Sequence, residues 1–233
     1  LTKEGHTKDD LKQLVEASEN IGAPWLYLAG KEPNQTLRVN GGLLAESISK
    51  GLSYLIVRRP DEEKDDFYVY EHGVYVKCNR NKVKSIILRY IPMSLASDNL
   101  VNNVYNLLLC QERNICSFND LDADEKYINL KNGLYNLKTK TLEPHTPKLY
   151  STIQIACEYS PGNNNMPTFR RYMDDLCRDE EGNVDGEKMA ILQEYGGMLL
   201  SNVHVHRAKL CLVLYSLLGN TGKTQFINLI SEL

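Results

Sequence analysis

The sequence predicts an α+β fold, and three patterns in it carry that reading. Two segments, Phe67 to Val76 and Tyr127 to Leu137, place β-branched, aromatic and apolar residues on either side of a glycine-bearing turn, as short β-hairpins do. Between and after them, apolar residues recur at steps of three and four, the spacing of amphipathic helices. Near the end the order changes to an apolar strand, a glycine loop and a helix, Leu210 to Leu233.

Taken in order, Asp9 to Glu19 has Leu11, Leu14 and Val15 at helical spacing. Gly22, Pro24, Gly30, Pro33 and Gly41-Gly42 then interrupt the chain. Leu43 to Leu52 reads as a short helix and Tyr54 to Val57 as a strand. The run Pro60 to Asp66 is a solvated loop or linker, so a boundary is placed there. Asn81 is the expected cap of a helix with Val83, Ile86, Ile87, Tyr90 and Ile91 on one face, ended by Pro92. Ser97 or Asp98 opens another, with Leu100, Val101, Val104, Leu107 and Leu108 as its stripe. In the second hairpin Asn132-Gly133 is the expected turn, because Asn-Gly tolerates positive φ. Leu142 to His145 and Ile153 to Tyr159 extend that sheet. Helices follow at Thr168 to Arg178 (Phe169, Tyr172, Met173, Leu176) and Lys188 to Leu200 (Met189, Ile191, Leu192, Tyr195, Leu199). Leu210 to Tyr215 is uninterrupted and apolar, as in strands buried on both faces.

Three segments are expected: an N-terminal region and linker at 1–66, an α+β domain at 67–205, and the strand–loop–helix start of a further domain at 206–233. The chain has 233 residues, 42% of them hydrophobic and 24% charged, which excludes a disordered tail, a collagen-like fibre and a disulfide miniprotein. Its longest late run without a charge, Leu210 to Thr221, is far short of the roughly 20 residues of a membrane span. The formal net charge of −3 gives no global basic field. Six cysteines lie scattered without a C-x-x-C pair, as expected of free thiols in a reducing cytoplasm. The sequence opens on Leu rather than Met and shows no basic-then-apolar leader segment, so the chain is expected to be a piece of something longer.

The chemistry gathers at the end. After the apolar run comes Gly219-Asn220-Thr221-Gly222-Lys223-Thr224, followed by Phe226, Ile227, Leu229 and Ile230 on a helix. A phosphate-binding loop needs a glycine turn with inward backbone N–H groups, a helix N-terminus facing the anion, a lysine for the β and γ phosphates, and a Ser or Thr hydroxyl for Mg²⁺. Gly222, Lys223 and Thr224 supply these in order. The general pattern G-x-x-x-x-G-K-[ST] has a glycine where Leu217 stands here, and Gly219 is left to carry the turn. The alternative is an ordinary β-turn-α connection. The acidic strand that an NTPase uses for metal and water lies tens of residues beyond such a loop, so this chain alone is not expected to hydrolyse ATP, and no catalytic residue is assigned.

Tyr127-Ile128-Asn129-Leu130-Lys131-Asn132-Gly133-Leu134-Tyr135-Asn136-Leu137, then Thr141 to Pro147, Tyr159-Ser160-Pro161, the helix around Phe169 and Met173, and Leu192 to Leu200 resemble the accessory domain of phage- and plasmid-type primase-helicases. The likeness spans about 67–233. It departs at Asn136, where the family often has aspartate, at Leu217, and at Thr221-Gly222-Lys223-Thr224, where Asn-Gly-Lys-Ser is frequent. The resemblance implies an ATP-driven replicative DNA helicase of a phage, plasmid or integrated element, with an AAA+-type α/β motor assembled as a hexameric ring. Gly219, Asn220 and Thr221 would then shape the phosphate cradle. Gly222, Lys223 and Thr224 would bind the phosphates of ATP, with Thr224 on Mg²⁺. The competing reading is an oligomerisation or protein-docking module without nucleic-acid contacts of its own.

Other candidates have plainer readings. Lys77, Arg80, Lys82, Lys84 and Arg89 beside the aromatic hairpin suit single-stranded nucleic acid, but read first as a solvated helix face. Lys131, Lys138, Lys140 and Lys148 form a looser set read the same way. His204 and His206 read as a surface turn rather than a metal pair. His145 reads as structural, and Asp174-Asp175 with Asp179-Glu180-Glu181 as a charged helix end running into a loop.

Overall fold

A computed structural model describes residues 23–31, 34–60, 64–162, 165–201, 211–216, 219 and 221–232. It is mixed α/β, with small sheets and six helices among the described residues. By contacts the chain divides into two units, residues 1–71 with 75–118 and residues 72–74 with 119–233. The helix expected at Asp9 to Glu19 lies outside the described residues.

In the first unit, β1 (Leu26–Ala29) and β2 (Thr36–Val39) pair antiparallel. Helix α1 (Gly41–Gly51) opens on Asn40, whose side chain accepts from the N–H groups of Gly42 and Leu43. Strands β3 (Tyr54–Arg58), β4 (Asp66–Glu71), β5 (Val74–Cys78) and β6 (Ile115–Ser117) form one sheet in the order β5-β4-β3-β6. The central β3 pairs antiparallel with β4 and parallel with β6, and its first four residues are buried. Tyr-Leu-Ile-Val suits a strand covered on both faces. Strands β3 and β4, on either side of the charged run 60–66, pair with each other; residues 61–63 of that run lie outside the described residues.

Helices α2 (Arg80–Leu88) and α3 (Asp98–Leu109) bury Val83, Ile86, Ile87, Val101, Val104 and Leu108 in the core that also holds Ile48, Tyr54, Ile56 and Phe67. The cap of α2 is Asn79, whose Oδ1 accepts from Lys82 N at 2.8 Å. Asn81, the expected cap, lies inside the first turn. Asn79 alone combines extended backbone (ψ 164°) with reach to the third helical N–H. Ser97 caps α3, as expected. Tyr54 stacks on Phe67 at 4.8 Å, and its buried hydroxyl donates to Leu108 O at 3.2 Å, so the core's largest polar group is satisfied.

In the second unit, β7 (Tyr127–Leu130), β8 (Gly133–Asn136) and β9 (Thr141–Glu143) form an antiparallel sheet. Leu130 pairs with Gly133, so the two-residue turn is Lys131-Asn132 rather than Asn132-Gly133. Asn132, the second residue of that turn, makes a reciprocal pair of bonds to Tyr159, donating to its carbonyl at 2.9 Å and accepting from its N–H at 3.0 Å. Gly133 is needed for space as well as for φ (+151°): a Cβ there would lie 2.6 Å from the Glu143 carbonyl oxygen. Residues 141–143 extend the sheet as expected. The 153–159 segment adds only an isolated parallel bridge, Leu130 to Ile155.

Helices α4 (Pro167–Leu176), α5 (Gly186–Leu200) and α6 (Lys223–Ser231) gather around Met173, Cys177, Leu192 and Phe226. Ile191, expected on the buried face of α5, is 55% exposed, and only Leu192 is fully buried there. Gly133→Ala is expected to destabilise the protein by about 2 kcal/mol or more, because the new methyl meets backbone that cannot rotate away. Denaturant unfolding checks this, against a control at Gly162, where a Cβ meets nothing within 4 Å.

Candidate phosphate-binding end of the last helix

Helix α6 begins at Lys223 with Gly222 as its cap, in the left-handed region at φ 83°, ψ −3°. No side chain caps it, and Phe226 N bonds to Gly222 O at 3.1 Å. Helical geometry leaves the N–H groups of Lys223, Thr224 and Gln225 without intrahelical carbonyls, at the end that carries the positive half of the helix dipole. Lys223 sits half-buried with its Nζ donating to Thr221 Oγ1 at 2.6 Å, which folds the ammonium back over the loop. Thr224 is exposed. Across from the cap, Tyr172 of α4 donates its hydroxyl to Gly222 O at 3.0 Å. The ring of that tyrosine would lie 3.2 Å from a Cβ at Gly222.

Of the six expected site residues, Thr221, Gly222, Lys223 and Thr224 are thus consecutive at one helix start. A Cβ at Gly219 would meet nothing within 4 Å, and Asn220 lies outside the described residues. The expected strand before the loop is corrected. Residues 211–216 form no strand, and no neighbouring strand pairs with them among the described residues. Leu212 and Leu214 pack on the Met173–Phe226 cluster while Val213 and Tyr215 are 78% and 79% exposed. Burial on both faces needs layers on both sides, and the helices here cover one. His204 and His206 lie outside the described residues.

The two basic sets differ. Lys77 pairs with Asp66 at 2.7 Å, Lys82 with Glu71 at 2.9 Å, and Arg80 stands 5.2 Å over the Tyr105 ring. Phe67, Tyr68 and Tyr75 beside them are buried and offer no face to a base. Lys131, Lys138, Lys140 and Lys148 are all exposed, with no ion pair among the described residues. Arg178 bonds Asp175 at 3.0 Å, and Asp179 Oδ1 accepts the N–H groups of Glu181 and Asn183, which makes the acidic run a helix end and turn. His145 is structural: its Nε2 meets Leu130 O at 2.8 Å, with the ring against Gly73.

Sequence reasoning missed three polar centres. Asn129, buried, donates to Gly73 O at 2.9 Å and Ser151 Oγ at 3.1 Å. Asp122, at φ 51°, accepts from the N–H groups of Thr152 and Ile153 and from the Thr152 hydroxyl. Asn136 accepts from Lys138 and Thr139 N–H while donating to Glu143 Oε1 at 2.8 Å. An aspartate at 136 would keep the first role and set a like charge against Glu143. Asn and Asp at strand ends and turns are the only signal the sequence offers for such centres.

The structure is that of a mixed α/β protein whose last helix opens on Gly-Lys-Thr. Residues 57–178, just over half of the chain, match the family model described as D5 N terminal like, and the chain belongs to that family. Its domain is the N-terminal region of phage and viral primase-helicases, which makes this a region of a primase-helicase-type replication protein. No curated protein matches the chain. Among the described residues no helix is long and apolar enough to cross a membrane.

The cap of α5 carries a pH dependence. Asp185 accepts from the N–H groups of Lys188 and Glu187 and pairs with the Lys188 ammonium at 3.2 Å, interactions that hold its carboxyl below the usual value, Lys188 N–H foremost. A carboxyl lowered by folding stabilises above its unfolded pKa of about 3.9 and loses that contribution as pH falls through the lower folded value. The melting-temperature gap between wild type and Asp185→Ala is therefore expected to be widest near neutrality and to shrink below about pH 4. A gap independent of pH would contradict this.

Proposed function

We propose that this chain is the accessory region, with the nucleotide-binding start, of an ATP-driven replicative DNA helicase of a phage, plasmid or integrated element. The motor works as a homo-oligomeric ring on DNA in the cytoplasm. The observation that carries the reading is the placement of Lys223 as the first residue of α6, behind a glycine in left-handed conformation. One flexible ammonium and three orphan amides then belong to the same helix start, the set of groups a polyphosphate needs. In this reading Lys223 swings from Thr221 to the β and γ phosphates of ATP. The Thr224 hydroxyl, exposed one residue on, takes Mg²⁺, and Gly219, Asn220 and Thr221 complete the cradle. Bound Mg²⁺ would supply charge neutralisation at the phosphates. Membership of the D5 N terminal like family supports the replicative setting.

The test is made in the full-length protein that carries this sequence. Lys223→Ala is expected to lower DNA-stimulated ATP hydrolysis about 100-fold or more, as loss of a preorganised charge at a reacting group does, with unfolding unchanged. Wild-type turnover in that variant sinks the proposal.

A second reading, a docking or oligomerisation module without nucleic-acid contacts of its own, is favoured by the paired state of Lys77 and Lys82 and the burial of the aromatics beside them. Binding of single-stranded DNA to the 233-residue chain across a salt series separates the two. Phosphate contacts by the four unpaired lysines predict a log–log slope of about −3, while a docking module gives no binding at low salt.

A further inference from the structure

We propose that Tyr172 is a positioning residue for the phosphate-binding end of α6: its phenol holds the Gly222 carbonyl and so sets the direction of the Lys223 backbone N–H. The inference rests on the nucleotide-binding reading above and adds a residue 50 positions earlier in the chain, within the span matched to the D5 family.

The Tyr172 hydroxyl donates to Gly222 O at 3.0 Å, and the same oxygen accepts the first helical bond of α6, from Phe226 N at 3.1 Å. The peptide joining Gly222 to Lys223 is planar and trans, so its C=O and N–H point in opposite directions. Two donors on the carbonyl therefore fix the N–H, which heads away from the helix as one of its orphan donors. That N–H is the group an anion meets first at a helix start. With Phe226 alone as donor, the carbonyl belongs to a fraying first turn. With Tyr172 added, it is tied to a neighbouring helix.

The identity of residue 222 follows from the same contact. At φ 83°, with Tyr172 Cε2 3.2 Å and Leu176 Cδ1 3.7 Å from a built Cβ, glycine takes this conformation without strain and lets the phenol approach the carbonyl without crowding. Burial pushes the Tyr172 phenol above its ordinary value, so it remains a donor throughout the neutral and mildly alkaline range. The ring itself packs on the cluster of Met173, Cys177 and Phe226. Packing is therefore separable from hydrogen bonding by removing the oxygen alone.

Tyr172→Phe makes that separation in the full-length protein, with ATP as the probe and Lys223→Ala in parallel. The expected result is a KM for ATP raised roughly fivefold, equivalent to about 1 kcal/mol for one neutral hydrogen bond. The kcat stays near wild type, and the melting temperature falls by no more than about 2–4 °C. Unchanged KM in Tyr172→Phe, whether or not the melting temperature falls, overturns the role of Tyr172. It leaves the nucleotide reading standing if Lys223→Ala is inactive. Full activity in Lys223→Ala overturns both.

Discussion

One peptide unit organises the start of the last helix. The Gly222 carbonyl receives a helical N–H and a phenol, the residue carrying it has left-handed backbone, and the space where its side chain would stand is filled by an aromatic ring. A side chain at 222 would be strained at this φ and would crowd the Tyr172 ring, which packs on the small apolar cluster that holds Phe226. The direction of α6, the burial of its one core residue and the aim of its free amides all follow from that unit. A short helix of nine residues is marginal by itself, so this anchoring and the packing of Phe226 decide whether it has a defined beginning.

The sheet of the second unit depends on polar side chains in a comparable way. Three short strands of three or four residues bury few apolar groups, and such a sheet needs more than its ladder. Asn129, Asp122 and Asn136 supply the remainder by satisfying backbone groups in turns and connections that no ladder reaches. The first unit is held differently, by a conventional apolar core around β3 and a stacked Tyr54–Phe67 pair.

That difference explains what was legible in the sequence. Periodicity located α1, α2, α3, α4 and α5 and both hairpins, because hydrophobic spacing and β-branched runs report directly on burial. Details governed by side-chain hydrogen bonds were not readable. Two asparagines near the start of α2 are equivalent by type, and backbone conformation alone selects Asn79. The Asn132-Gly133 pair has the composition of a tight turn, yet the ladder closes one residue earlier, at Leu130 and Gly133, and Asn132 is engaged by Tyr159. At 210–215 the apolar run was read as a strand buried on both faces, but hydrophobicity states only that a segment seeks cover. How many layers supply the cover is a tertiary fact, and among the described residues 211–215 Leu212 and Leu214 find it. In the site itself, Gly222, Lys223 and Thr224 were readable as a motif. Tyr172 was not, since nothing local ties it to a loop 50 residues away.

The span of the family and the span of the packing do not coincide, and the mismatch bears on how the chain works. The D5 match stops at Arg178, yet Met173 and Cys177, inside that span, share one cluster with Leu192 and Phe226, outside it. Cys177 is fully buried and its thiol is pushed up by burial, which makes it a packing residue rather than a reactive one. Ending the chain at 178 would strip the cover from both residues and from the Tyr172 ring. The end of the family domain and the start of α6 are therefore one cooperative piece, joined by apolar contacts and by the Gly222 carbonyl. The link from α4 to the Lys223 amide runs through the Tyr172 ring, a single hydrogen bond and a rigid peptide plane.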